Sequence, residues 1–135
     1  MKVIQIPALQ DNYIYLVICE KTGKTAVVDA PDAPLVRQNV KREGLELVAI
    51  LNTHHHYDHI GANEDLLSKQ KLDVYGGVYD RDRIPGITHT LKDNDEVAIG
   101  LMKLRVIEVP GHTLGHIVYY SEADGVLFCG DTVFV

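Results

Sequence analysis

A strand-rich α/β layer arrangement is what this 135-residue chain predicts, and three observations carry that reading. Short runs of β-branched and aromatic residues follow one another through the first third. Two helical patterns come at intervals, without the regular strand–helix alternation of a doubly wound parallel sheet. Three apolar strands each run out into a loop built from histidine, aspartate, glycine and threonine.

In chain order, "VIQIP" (3–7), "YIYLVIC" (13–19) and "TAVVDA" (25–30) read as strands parted by turn residues. "KTGK" (21–24) is a hairpin turn in which Gly23 supplies dihedrals that other residues resist. A helix follows: Asp32 is its N-cap, Leu35, Val36 and Val40 share one face, Lys41 and Arg42 fill its last turn, and Gly44 ends it. "LVAIL" (47–51) is a buried strand, and a second helix runs from about Ala62 to Gln70. "DVYGG" (73–77) is a short strand and turn. Residues 78 to 95 are polar, carry Pro85 and Gly86, and are expected to form a long connection. "EVAIG", "LMKLRVIEV", "HIVYY" and "VLFCG" supply the strands of the second half. No repeat or linker divides the chain, so residues 1–135 are expected to form one domain.

The totals exclude several functions. A formal charge of -6 repels nucleic acid and acidic membranes alike. The longest apolar runs fall short of a bilayer span, and "MKVIQIPALQDNY" lacks the apolar core of a secretory signal. Cys19 and Cys129 are too few for a disulfide framework and sit in apolar runs, as buried thiols do. The expected location is cytoplasmic, with no nucleic-acid or membrane partner.

The histidines carry the chemistry. Six of seven lie in two short stretches, "THHHYDH" (53–59) and "PGHTLGHI" (110–117); only His89 stands apart. Crowded imidazoles repel one another when charged and lose hydration when buried, and a divalent cation relieves both by selecting the neutral, ligating form. In an extended segment His54 and His56 point to one side and His55 to the other. The first two can therefore share an ion at about 2.0–2.1 Å. Asp58 and His59 follow on the turn, placed to face a second ion. His55 is read as supporting or packing, and Tyr57 as packing. In the second stretch His112 at the strand end is the natural third imidazole, and His116 is read as a buried histidine bonded to backbone. The third stretch, "CGDTVFV" (129–135), ends an apolar strand in Asp131. Nitrogen and carboxylate donors without cysteine favour zinc, iron or manganese. A carboxylate shared by two ions is one way to hold them about 3.5–4 Å apart.

"THHHYDH", "PGHTLGH" and "GDT", in that order, resemble the metallo-β-lactamase superfamily, whose first motif is T-H-x-H-x-D-H. Within it the chain resembles glyoxalase II, the hydroxyacylglutathione hydrolases, through "PALQDNYIYLV", "VYGG" (74–77), "ITH" (87–89) and "GDTVFV". The resemblance implies an α/β (α+β) fold, an αββα sandwich, and hydrolysis of the glutathione thioester S-D-lactoylglutathione to D-lactate and glutathione. It assigns His54, His56 and His112 to a first metal, Asp58 and His59 to a second, and Asp131 to both. Asp58 and Asp131 thereby become catalytic groups, and Asp29 a support of the metal loop that is not itself a ligand. Two divalent ions, zinc or in their place iron or manganese, would acidify a shared water for attack on the thioester carbonyl.

The chain departs from the family's pattern in one respect. It stops four residues after Asp131, before the further histidine of the second metal and the residues that grip glutathione. The expectation is about the first half of the sandwich, with an inner face and a sheet edge uncovered: a fragment of a larger hydrolase or a short form whose active centre is incomplete and inactive, with pairing of two copies through that face as the third reading. Two other readings stand beside the hydrolase. One is a mononuclear iron persulfide dioxygenase using His54, His112 and Asp131; the other is a non-catalytic metal-binding or interaction module.

Overall fold

The computed structural model describes residues 1–109, 116–130 and, for their backbone alone, 133–134. Among these residues, eleven strands form two sheets. The first holds β1 (Lys2–Ala8), β2 (Asn12–Ile18), β3 (Lys24–Val28), β4 (Glu46–Leu51), β5 (Asp73–Gly77) and β6 (His89–Leu91), in that spatial order. The second holds β7 (Glu96–Ile99), β8 (Met102–Glu108), β9 (Ile117–Ser121), β10 (Val126–Phe128) and β11 (Val133–Phe134), also in sequence order.

Register follows from the connections. The three-residue turn between Ala8 and Asn12 and the Gly23 turn (φ +76) make β1, β2 and β3 antiparallel. The helix α1 (Ala33–Arg42) then carries the chain back, so that β4 lies parallel to β3. Asp32 caps α1 by accepting from Leu35 N–H at 3.1 Å, and Gly44 takes φ +65 just past its end. Two further helices, α2 (Tyr57–Ile60) and α3 (Asn63–Lys69), return the chain to a parallel β5, and β6 is parallel again.

Both faces of the first sheet are covered, which is why β2 reads as an unbroken apolar run. Ile14 and Leu16 face α1 and α3 together with Val27, Ile50, Val36 and Leu66. Tyr15 and Val17 face the second sheet together with Val28, Leu51, Leu104, Val106, Tyr119 and Phe128. The layers are therefore helix, sheet, sheet.

Three expectations change. The connection at 78–95 is partly ordered: it contains a 3-10 turn, Val78–Asp80, and the edge strand β6. The second helix lies where expected, Asn63–Lys69 between the caps Ala62 and Gln70, but is preceded by the unexpected single turn α2. Most consequentially, the inner face of the first sheet is not bare. The strands from Glu96 onward fold over it as a second sheet, so the inner face expected to be uncovered is covered by this chain itself. The second sheet's outward side carries Glu96, Lys103, Arg105 and Tyr120, with the Arg105 guanidinium 5.5 Å from the Tyr120 ring centroid.

At the end of the sandwich where β2 finishes, Gly100 (φ +60) lets the β7–β8 turn press against Thr22 and Cys19. Cys19 is buried, as expected, while Cys129 is half-buried. A Thr22 hydrogen bond and the Leu101 N–H, 3.4 Å from Sγ, hold the Cys19 thiol down to about 7. No helix among the described residues is long and apolar enough to cross a membrane.

Candidate metal centre

The site lies at the opposite end, where the parallel strands β3 and β4 finish. Asp29 follows β3 with φ +51, an unusual conformation for a residue with a side chain, and is 1% exposed. Burial on that scale requires partners for the carboxylate. The Thr53 N–H donates to Asp29 Oδ1 at 2.8 Å, the Thr53 hydroxyl donates to Oδ2 at 2.6 Å, and His59 Nδ1 lies 3.1 Å from Oδ2. Asp29 is thus committed to holding the loop.

This contact chain fixes the state of His54. The Thr53 Oγ1 hydrogen goes to Asp29, so the 2.9 Å contact between Oγ1 and His54 Nδ1 requires Nδ1 to be the donor. The proton then sits on Nδ1, and Nε2 keeps its lone pair for a cation. Burial first, and then the neighbouring His59, bring the His54 imidazolium down to about 4, so the ring is neutral at pH 7.

Other donors gather around it. The ring centroids of His56, His59 and His116 lie 4.7, 4.0 and 4.9 Å from that of His54. His54, His56 and Asp58 each offer a ligand atom, all within 4.8 Å of one another, and Asp29, His54 and His59 do the same. His59 Nε2 is 3.3 Å from Asp58 Oδ2. Partial burial pulls the Asp58 carboxyl up, but the Asn12 amide, donating to Oδ2 at 2.9 Å, and His59 hold it below its usual value. This donor set fits a divalent cation.

His55 points away, as its place in the extended segment requires. Its Nδ1 is 3.1 Å from Oδ1 of Asp80, a fully buried carboxylate in the 3-10 turn. Tyr57 is 75% exposed, and its ring lies over Gly61 at the surface and not in the core. His116 stacks on His54 at an interplanar angle of 29°, and its carbonyl accepts from Val109 N–H at 3.0 Å.

His112 and Asp131 lie outside the described residues. The backbone on their flanks does reach the site: the Ile117 N–H donates to Thr53 O at 2.9 Å. A Cβ on Gly130 would lie 3.5 Å from Thr53 Oγ1 and 3.6 Å from His59 Cε1.

Sequence reasoning missed the floor beneath the loop. Asn52 is fully buried; its Nδ2 donates to His59 O at 3.0 Å, and its Oδ1 accepts from Asn63 Nδ2 at 2.9 Å. Its carbonyl accepts from the Tyr119 hydroxyl at 2.8 Å. The available signal was an asparagine directly after "LVAIL", where a run of full burial continues into polar residues. The contacts of Asn12 and Asp80 gave no such signal.

The family model of the metallo-beta-lactamase superfamily matches residues 9–135. The hydroxyacylglutathione hydrolase of Rhodospirillum rubrum is 49% identical over 130 residues, covering 96% of this chain and 51% of the relative. A Synechococcus protein of the same name is 50% identical over 135 residues, covering 99% and 54%. The chain spans about half the length of the curated relatives it matches. Among solved structures, the B3 metallo-beta-lactamase BLEG-1 superimposes with a TM-score of 0.85 at 28% identity, over 99% of this chain and 74% of that one. TTHA1623 in a di-iron-bound form gives 0.79 at 25% identity, over 100% and 74%.

Proposed function

Because the chain belongs to the metallo-beta-lactamase superfamily, we propose that it carries the metal-ligating part of a hydroxyacylglutathione hydrolase acting on S-D-lactoylglutathione. Residues 1–135 are read as one unit of that enzyme. His54, His56 and His112 serve one ion, Asp58 and His59 a second, and Asp131 both; zinc is the first choice of metal, with iron or manganese in its place. The observation that carries the metal reading is the Asp29–Thr53–His54 relay, which leaves the Nε2 lone pair free on a ring grouped with His56 and Asp58. The substrate rests on the relatives, to which about half of the aligned residues are identical across almost the entire chain.

A divalent ion at this place supplies Lewis acidity toward a carbonyl and acidifies water toward about 7. The chain's own residues supply the rest. Asp29 and Thr53 keep the His54 proton on Nδ1, His55 and Asp80 hold the loop from its far side, and the neutral His54 adds no charge to repel a cation. The leaving thiolate, with a conjugate-acid pKa near 8.5, needs no strong acid from the protein. The gathering of Asp58 and His59 beside His54 favours this reading over a three-ligand dioxygenase.

The test is to replace the matching half of the Rhodospirillum rubrum relative with this chain, then measure metal content and hydrolysis of S-D-lactoylglutathione on one sample. About two ions per chimera and turnover abolished by His54→Ala are expected. A folded chimera that binds metal and leaves the thioester intact overturns the hydrolase reading in favour of a binding module.

A further inference from the structure

The "DNY" hairpin motif (11–13) has no role in the reading above, yet it brings a side chain onto the metal loop. Asn12 opens β2 opposite Ala8 in the register, and its Nδ2 donates to Asp58 Oδ2 at 2.9 Å, across 46 residues of sequence.

Asp58 has little local support. Its side chain is 42% exposed, and its helix is a single turn of four residues whose N-cap, His56, makes no side-chain capping bond. Its neighbour Tyr57 is 75% exposed. A carboxylate so placed samples several rotamers unless a donor pins one oxygen. The hairpin supplying that donor is shaped at some cost: Leu9, in its turn, holds φ +52 and is 65% exposed, so strain there is not offset by burial of the leucine.

We propose that Asn12 is a positioning residue for the metal centre, its amide holding the Asp58 carboxylate beside His59, the residue with which it serves one ion. The proposal rests on the metal-binding reading given above. An amide suits this task better than a lysine or arginine. It occupies a lone pair on one carboxylate oxygen, leaves the other for a cation, and brings no positive charge to compete. Partners that stand behind metal ligands in this way carry about 10–100-fold in metal affinity.

The experiment is a zinc titration of the 135-residue chain in competition with a chromophoric chelator, with the visible absorption of added cobalt(II) as a second readout. Asn12→Ala and Asn12→Leu are expected to raise the zinc Kd at least about tenfold and to change the cobalt spectrum. Their metal-free melting temperatures should stay close to that of the unaltered chain. Tyr13→Ala disturbs the same hairpin without touching the amide and should leave zinc binding unchanged. Zinc affinity retained in the Asn12 variants overturns the proposal, and so does an equal loss in Tyr13→Ala, which would assign the effect to hairpin packing. An unaltered chain that binds no zinc at all instead overturns the metal reading, and the proposal falls with it.

Discussion

Replacing Thr53 with valine removes one oxygen from a fully buried position and leaves the shape almost unchanged. That oxygen donates to Asp29 Oδ2 at 2.6 Å and accepts from His54 Nδ1 at 2.9 Å. A hydrogen bond to a buried carboxylate is worth about 1.5–3 kcal/mol, and a neutral one about 1 kcal/mol. The Thr53 N–H to Asp29 bond survives the change. The expected loss is therefore about 3 kcal/mol. At about 2.1 cal/mol/K per residue, the unfolding entropy of 135 residues is about 0.28 kcal/mol/K, so the melting temperature should fall by about 10 °C. Urea unfolding of the metal-free chain at fixed pH measures the loss through its midpoint, with an unchanged slope showing that the unfolded state is comparable. Thr53→Ser keeps the hydroxyl and should cost less than about 1 kcal/mol. A valine variant as stable as the serine variant would refute the relay, and with it the assignment of the His54 proton to Nδ1.

Other outcomes follow from the same geometry. Gly100→Ala must place a methyl 2.4 Å from Thr22 Oγ1 and 3.0 Å from Cys19 at φ +60, so calorimetry should show a loss of at least about 2 kcal/mol. Gly125→Ala, at φ +66 in open space, should lose only about 1 kcal/mol; equal losses would mean that the Thr22 contact relaxes freely. Tyr119→Phe removes the hydroxyl that donates to Asn52 O and should cost about 1–2 kcal/mol in urea unfolding. Burial keeps the Tyr119 phenol protonated well above its usual range. The unfolded chain sheds this proton above about pH 10 while the folded chain keeps it, so this group withdraws stability as pH rises past that point. Ultraviolet titration should accordingly show at least one of the seven tyrosines ionising only with alkaline unfolding, and seven ionising together in the folded chain would contradict the burial of Tyr119.

What could be read from the sequence, and what could not, divides along the range of the interactions. "THHHYDH" marked the metal loop because its alternation is local: His54 and His56 on one side and His55 on the other needs only an extended backbone. Capping of α1 by Asp32 was equally local. The covering of the first sheet by the second was not, because Val106 and Val28 share a core only after two sheets close. The parallel pairing of β4 and β5 was hidden by helices as short as the single turn Tyr57–Ile60, too brief to leave a periodic pattern. Asp80 lay in a polar stretch that reads as an exposed connection, and nothing near it in sequence signals that its carboxylate is buried under His55. Asn12 and Asp58 meet across 46 residues, a distance over which periodicity is silent.

The Ile117 N–H, donating to the Thr53 carbonyl, ties the second sheet to the loop that ends the first. Together with the Tyr119 hydroxyl on the Asn52 carbonyl, this amide bridges the sandwich at its functional rim, and its deuterium uptake reports whether the two sheets part there. In a molecule whose sheets breathe at that rim, the amide would exchange ahead of its neighbours in β9. In one clamped shut by a bound ion, it would become one of the slowest, a spectroscopic gauge of occupancy that needs no substrate.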